Sequence, residues 1–273
     1  MKVCFINPPF KAEYGKFSRE SRSPSIGHSG VLYYPLWLIY AACVAEKNGF
    51  EVAFIDAPAK QMNKEQTLER VKKEASDAKL FVFDTSTPSI YSDVEFAGII
   101  KKMYPNAFTM LVGTHPSATP DETMGISELI DGLARHEYDY IVRDTAIAIR
   151  DGADLATVRG LTYRKDGEVV HNPDAEHMLI IPSAFEGFPL AGLEAAAAGV
   201  PVIACDAAGA KEFIQVSKDG LTFKEDDVNS AVVAVEGIMK DRETFQKAGE
   251  YFAAEMGNEK YALRLEQIFS VIQ

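Results

Sequence analysis

The chain has 273 residues, 47% of them apolar and 25% charged, with a formal net charge of −12 at pH 7. That length allows one large domain or two ordinary ones, and the composition supplies a packed core. No basic cluster breaks the acidity, which excludes a nucleic-acid binder and disfavours adhesion to anionic membranes, both of which need a cationic face.

The acidity is uneven. Residues 175–273 hold 8 of the chain's 28 lysines and arginines but 16 of its 40 acidic residues. No apolar run reaches the ~20 residues of a membrane span. The start, Met1 to Asn7, meets Pro8 and Pro9 too soon to be a signal segment, so a cytoplasmic location is expected. Cys4, Cys43 and Cys205 lie far apart, which leaves no spacing for a zinc knuckle or an iron–sulfur cluster. All three fall in apolar runs and are expected to be buried thiols.

In chain order, Lys2–Ile6 reads as a buried strand that stops at Asn7-Pro8-Pro9, and a polar loop follows to Val31. Pro35 opens a helix that ends at Lys47-Asn48-Gly49, with a basic last turn and a glycine just past it. Glu51–Asp56 is the second strand. Asn63 caps a helix over Lys64–Ser76, with Leu68, Val71 and Ala75 on one face. Leu80–Asp84 is a third strand leaving through Thr85-Ser86-Thr87-Pro88-Ser89, Tyr91–Tyr104 a helix, and Phe108–Val112 a fourth strand leaving through Gly113-Thr114-His115-Pro116. Such β–α repeats imply a parallel sheet covered on both faces, with ligands beyond the carboxyl ends of its strands. Leu161–Arg164 and Glu168–His171 form a hairpin turned at Asp166-Gly167. Asn172-Pro173-Asp174 breaks it, and the domain boundary is expected there. Beyond it come a strand at Met178–Ile181, a helix at Leu190–Ala198, a strand at Val200–Cys205, a short helix near Lys211–Ile214 and a strand at Leu221–Phe223. Helices near Asn229–Met239, Glu243–Met256 and Glu259–Ile272 complete the pattern.

Six segments carry a resemblance for residues 1–174: Ile6-Asn7-Pro8-Pro9-Phe10, Ser18 to Pro24, Leu32 to Leu38, Ile55 to Ala59, Asp84 to Ser89, and Val112 to Ser117. Together they resemble the cobalamin-binding domain of radical SAM enzymes of the hopanoid and bacteriochlorophyll type. The resemblance implies a cofactor site built from Asn7, Pro8, Thr85, Ser86, Thr87, Gly113, Thr114 and His115, on the loops after strands one, three and four. Small hydroxyls and a glycine suit close backbone approach to a long buried ligand tail. The D-x-H-x-x-G motif that supplies a cobalt ligand in methionine-synthase-like domains is replaced here by Asn7-Pro8-Pro9-Phe10. His115 or His28 could approach a metal, although loop-capping is the plainer role for either. The C-x₃-C-x₂-C motif of the radical SAM barrel is absent, so cobalamin is the cofactor expected, without an iron–sulfur cluster and without radical SAM chemistry.

The second half carries Ile181-Pro182-Ser183-Ala184-Phe185-Glu186-Gly187-Phe188-Pro189-Leu190-Ala191-Gly192-Leu193-Glu194, then Gly199-Val200-Pro201-Val202-Ile203 and Asp219 to Phe223. It resembles the second half of the donor domain of GT-B retaining glycosyltransferases (group 1). The resemblance implies a donor site of Glu186, Gly187, Phe188, Leu190 and Glu194. The glutamates would meet donor-sugar and ribose hydroxyls, and backbone N–H groups at the helix start a diphosphate. The strand-end glycines and the Arg/Lys pair that neutralise the diphosphate in that family do not precede residue 178, and Lys211 is the one nearby cation.

The fold expected is therefore α/β: a Rossmann-like parallel sheet with helices on both faces, over residues 1–174. It is extended or followed by a half-Rossmann GT-B-like segment over residues 175–273. The expected function is a small-molecule binding module for cobalamin joined to a partial nucleotide-sugar segment. Glycosyl transfer through Glu186 and Glu194 is one alternative, and an inactive fold chimera the other; a natural fusion and an engineered chimera both fit. The expected partner is a small molecule, cobalamin or a nucleotide sugar, with self-association left open. No catalytic residue is assigned.

Overall fold

A computed structural model describes residues 1–11, 19 and 34–257. The expected motif segments at 18–24 and 32–38, His28 and the last helix at Glu259–Ile272 therefore lie partly or wholly outside the described residues. The chain divides into two compact units, Met1–Ala175 and Glu176–Gln273.

The first unit runs β1 (Lys2–Asn7), α1 (Leu36–Lys47), β2 (Glu51–Asp56), α2 (Lys64–Ala75), β3 (Leu80–Thr85), α3 (Ile90–Met103) and β4 (Phe108–Gly113). It continues through α4 (Thr114–Ala118), α5 (Pro120–Ile126), β5 (Gly132–Ala134), α6 (Asp139–Asp151), β6 (Leu161–Lys165) and β7 (Glu168–His171). The sheet order is β2-β1-β3-β4-β5-β6-β7. The first five strands are parallel, and β6 and β7 turn the far edge antiparallel.

Apolar strands explain the two covered faces. Val3, Phe5, Val82 and Met110 point to the side packed by α1 and α6. Their neighbours Cys4, Ile6, Phe81, Phe83 and Leu111 point to the side packed by α2 and α3. The period-2 alternation thus divides one apolar run between two cores. Asn63 caps α2 with a full capping box, its side chain accepting from the Gln66 N–H at 2.9 Å. The hairpin turn puts both Asp166 (φ 53°) and Gly167 (φ 88°) in the left-handed region, as a two-residue turn requires.

Two expectations change, and one strand was not expected at all. The exit loop after β4 is helical: Gly113 precedes α4 directly, and α4, α5, β5 and α6 fill a stretch with no clear period in its strand. Strand β5 is only Gly-Leu-Ala, too short and too poor in β-branched residues to stand out. Cys43 is exposed, because the buried face of α1 is Leu38, Ala41, Ala42 and Ala45, whereas Cys4 and Cys205 are buried as expected.

The second unit runs β8 (Leu179–Ile181), α7 (Leu190–Ala197), β9 (Val202–Cys205), α8 (Ala208–Ser217), β10 (Gly220–Phe223), α9 (Val228–Lys240) and α10 (Arg242–Glu255). Its strands form their own parallel sheet in the order β10-β9-β8. They follow the first sheet and do not lengthen it. Val202, Ala204, Phe213 and Phe252 make one core, and Ile203, Ala234 and Ile238 a smaller one on the opposite face. The expected short helix near Lys211 spans all ten residues of α8. No helix among the described residues is long and apolar enough to cross a membrane.

Candidate functional site

In the first unit, the carboxyl ends of β3, β4 and β5 open into a cavity of about 480 Å³. Asp84 and Thr85 come from β3, Gly113 and Thr114 from the β4–α4 junction, and His136 to Asp139 from the exit of β5. Trp37 and Tyr40 of α1 form an aromatic wall, their ring centroids 6.0 Å apart.

The floor depends on a glycine. Gly113 has φ 119° and ψ −171°, a conformation open in practice to glycine alone. A Cβ there would lie 2.1 Å from the Thr85 carbonyl oxygen. The Thr85 hydroxyl donates to the Val112 carbonyl at 2.9 Å, so it ties the two strand ends together. Ser117 continues the frame: its hydroxyl donates to the Gly113 carbonyl at 2.8 Å and accepts from the His136 N–H at 2.8 Å. That bond holds His136 in the left-handed region at φ 64°.

Arg19, between β1 and α1 in the chain, belongs to the cavity lining. Its guanidinium forks onto buried Asp93 of α3, Nε to Oδ2 at 3.1 Å and Nη2 to Oδ1 at 2.6 Å. Nη1 donates to Asn7 Oδ1 at 2.6 Å, and Asn7 Nδ2 donates to Asp56 at 3.0 Å. The guanidinium carbon, Cζ, lies over the Phe10 ring, 4.2 Å from its centroid. Burial pushes the Asp93 carboxyl up, while Arg19 and the Ser89 hydroxyl, 2.6 Å away, pull it down.

Of the expected cofactor residues, Thr85, Gly113 and Thr114 line this cavity. Asn7, buried, serves the Arg19 network, and Pro8 is buried beside it. Ser86 pairs with Ser89 at 3.1 Å. His115 is buried, with Thr87 at 3.2 Å from Nδ1 and Thr119 at 3.3 Å from Nε2; both ring nitrogens are engaged by local hydroxyls. The histidine that lines the cavity is His136. Sequence reasoning passes over Arg19, Trp37, Tyr40, Asp84, Ser117 and the 136–139 turn. Arg19, Trp37, Asp84 and Ser117 do fall inside the segments Ser18–Pro24, Leu32–Leu38, Asp84–Ser89 and Val112–Ser117, without a role of their own there.

Arg135, next to His136, anchors the far edge. It donates to Asp174 at 2.9 and 2.7 Å, to the Asn172 carbonyl at 2.5 Å, and to the Thr162 hydroxyl. Replacing Arg135 by alanine strands these acceptors and is expected to lower the first unit's stability by about 2–3 kcal/mol, read by urea unfolding.

In the second unit, Glu186 is half-buried on the loop after β8, and Glu194 is exposed on α7. Neither side chain has a hydrogen-bond or ion-pair partner among the described residues. Gly187, Phe188 and Leu190 are exposed at the uncapped start of α7. Gly209 of α8 meets this loop backbone to backbone: its N–H donates to the Glu186 carbonyl at 3.1 Å, and a Cβ would fall 1.4 Å from the Gly187 oxygen. Lys211 pairs with Asp206 at 2.8 Å, so its charge is already engaged.

Asp219, in the segment that closes the signature, is fully buried. Oδ1 accepts from the Ser217 hydroxyl at 2.5 Å, and Oδ2 has no hydrogen-bond partner among the described residues. Burial raises its pKa from 3.8 to about 6. The folded state therefore holds the proton more tightly than the unfolded chain. This group's penalty is complete above pH 6 and fades as the pH falls toward 4. The second unit's unfolding free energy should gain about 1 kcal/mol per pH unit from this group on acidification from pH 6 to 4.5. In Asp219→Asn that component of the slope should vanish from urea titrations.

Two family models match the chain. The B12 binding domain covers residues 23–141, and glycosyl transferases group 1 covers residues 154–254. The chain thus carries a B12-binding domain resembling the cobalamin domains of radical SAM enzymes, followed by a group 1 glycosyltransferase segment. The anaerobic magnesium-protoporphyrin IX monomethyl ester cyclase of Rubrivivax gelatinosus is 27% identical over 178 residues, 63% of this chain and 30% of the cyclase. The lipopolysaccharide core biosynthesis mannosyltransferase of Rhizobium meliloti is 37% identical over 81 residues, 28% of this chain and 23% of that enzyme. The cobalamin-dependent S-adenosylmethionine radical enzyme OxsB, with aqua-cobalamin and S-adenosylmethionine bound, superposes with a TM-score of 0.51 at 15% identity. The match covers 75% of this chain and 27% of OxsB, and it shows a shared fold. The chain spans about a third of the length of the curated relatives that its first unit matches.

Proposed function

We propose that the first unit binds a cobalamin at the carboxyl ends of β3, β4 and β5. The observation that carries this reading is the cavity itself, at the strand ends where doubly wound sheets take their ligands, with a floor that excludes any Cβ at Gly113. Its residues suit the group. Thr85, Gly113 and Thr114 let the ligand approach the backbone, and Trp37 and Tyr40 offer flat apolar contact. The frame from Arg19, Asn7 and Ser117 holds those parts in place. At about 480 Å³ the cavity matches a nucleotide tail or one face of a corrin, and the rest of so large a ligand would extend beyond it. Cobalamin, when bound, supplies a cobalt able to carry alkyl groups. This chain's own residues bind and orient it, and His136 is the lining histidine within reach of a polar group.

The test is gel filtration of the full chain after incubation with hydroxocobalamin. Red absorbance should co-elute with the protein; a colourless protein peak would end the proposal.

A second reading is favoured by the unpartnered Glu186 and Glu194 carboxylates beside the uncapped start of α7: use of a nucleotide-sugar donor. Against it stands charge, since a diphosphate beside two carboxylates finds Lys211 already paired. Calorimetry with UDP and GDP sugars should stay silent at millimolar ligand, and heat that disappears in Glu194→Ala would reverse the ranking. An inert chimera is the third reading, and binding of either ligand removes it.

A further inference from the structure

Helix α9 carries an apolar flank that its own core does not use. Its inward side is Ala234 and Ile238, buried against Ile203 of β9. Its polar side, Asn229, Glu236 and Lys240, lies opposite on a 3.6-residue turn. Between the two runs a stripe of Val228, Val232, Val235 and Met239, spaced i, i+4, i+7 and i+11. Val235 is partly buried at the edge of the core, whereas Val228 is 77% exposed, Val232 49% and Met239 63%. Exposed apolar surface of this kind marks an interaction site.

The sheet beneath leaves room on the same side. Gly237, on the other flank of α9, sits against β10, where a Cβ would fall 2.7 Å from Leu221 Cδ1. The apolar stripe therefore looks the other way, toward β9 and β8. Ile180 of β8 is the register partner of Ile203 and shares its face, yet it is 50% exposed. The stripe and Ile180 carry no charge, in a half of the chain with 16 acidic residues against 8 basic ones.

We infer that this surface binds a second copy of this chain, the two α9 helices packing antiparallel about a two-fold axis. The spacing identifies the occupant. A 4-3-4 pattern reads the same in both directions, so an antiparallel copy sets Val228 against Met239 and Val232 against Val235, each pair twice. The same register sets Lys240, at the end of the helix, against Asp227 and its neighbours Glu225 and Asp226 at the start of the other copy. A second acidic unit can approach closely only through a surface free of carboxylates, as this stripe is. The contact is small, so the dimer is of the weak, concentration-dependent class. It does not depend on which ligand the first unit takes.

Sedimentation equilibrium of the full chain from about 1 to 300 µM tests the inference. The mass should rise with concentration from that of one chain toward that of two. Val232→Glu/Met239→Glu should raise the dissociation constant by about tenfold or more. Its thermal transition in dilute solution should match the wild type, because both side chains are exposed in the single chain. Lys240→Glu should weaken the dimer, and Glu225→Lys added to it should restore the association.

A chain that stays monomeric throughout would overturn the inference; if the double variant then also melts lower, the chain covers this flank itself. A dimer indifferent to Val232→Glu/Met239→Glu uses another surface and overturns it as well. A dimer broken by that variant, in which Glu225→Lys fails to rescue Lys240→Glu, would refute the antiparallel pairing and the inference with it.

Discussion

Replacing Arg19 by methionine should cost the first unit about 3–5 kcal/mol, the largest loss expected from any single side chain at the site. The guanidinium is 1% exposed and its partner Asp93 fully buried, so removing the cation leaves a buried carboxylate with the Ser89 hydroxyl but no countercharge in the fork. In a unit of this size the loss appears as a thermal transition lower by about 10 °C. The second unit's transition should not move. Asp93→Leu added to Arg19→Met should recover most of the loss, because a well-packed apolar pair often matches a buried ion pair. If Arg19→Met melts with the wild-type protein, the fork is not formed in solution.

Gly113→Ala should be nearly as damaging, for a different reason. The backbone at φ 119° costs any other residue about 1–3 kcal/mol. The new Cβ also collides with the Thr85 carbonyl, an atom held in the β3–β4 ladder and unable to rotate away. The strand ends must part, and they are the floor of the cavity. We expect a stability loss of about 3 kcal/mol or more, measured by urea unfolding. Hydroxocobalamin affinity should fall by about tenfold or more under conditions where the variant stays folded. Gly125, which meets nothing within 4 Å, is the matching control: alanine there should leave affinity unchanged.

Much of the scaffold was legible in the residues. The first four strands and their helices announced themselves because each strand is a short apolar run and each helix carries a cap, a proline or a glycine at its ends. Asp166-Gly167 fixed the hairpin locally, as its two positive φ angles require. The Glu186–Glu194 segment was readable as a motif, and the chain places it on a loop and helix start as that motif implies.

The cavity was less legible, and the reason is physical. Arg19 and Asp93 are 74 residues apart, and nothing local in either segment marks a fork that only tertiary packing creates. His136 lines the site through a left-handed backbone pinned by Ser117, a bond formed across the β4–α4 and β5–α6 junctions. Trp37 and Tyr40 read as ordinary apolar helix residues, and only their exposure, about half in each case, marks them as a wall. His115, the histidine most visible in the sequence, is engaged at both nitrogens by neighbouring threonines.

A corrinoid bound in the proposed strand-end cavity would lie beside Trp37 and quench its emission. Titrating the full chain with hydroxocobalamin and following Trp37 emission, corrected for absorbed light, tests it most directly. One saturable quenching curve with a stoichiometry of one per chain is the expected result. Emission that falls only as far as the absorbance correction demands, in protein that still unfolds cooperatively, would contradict it.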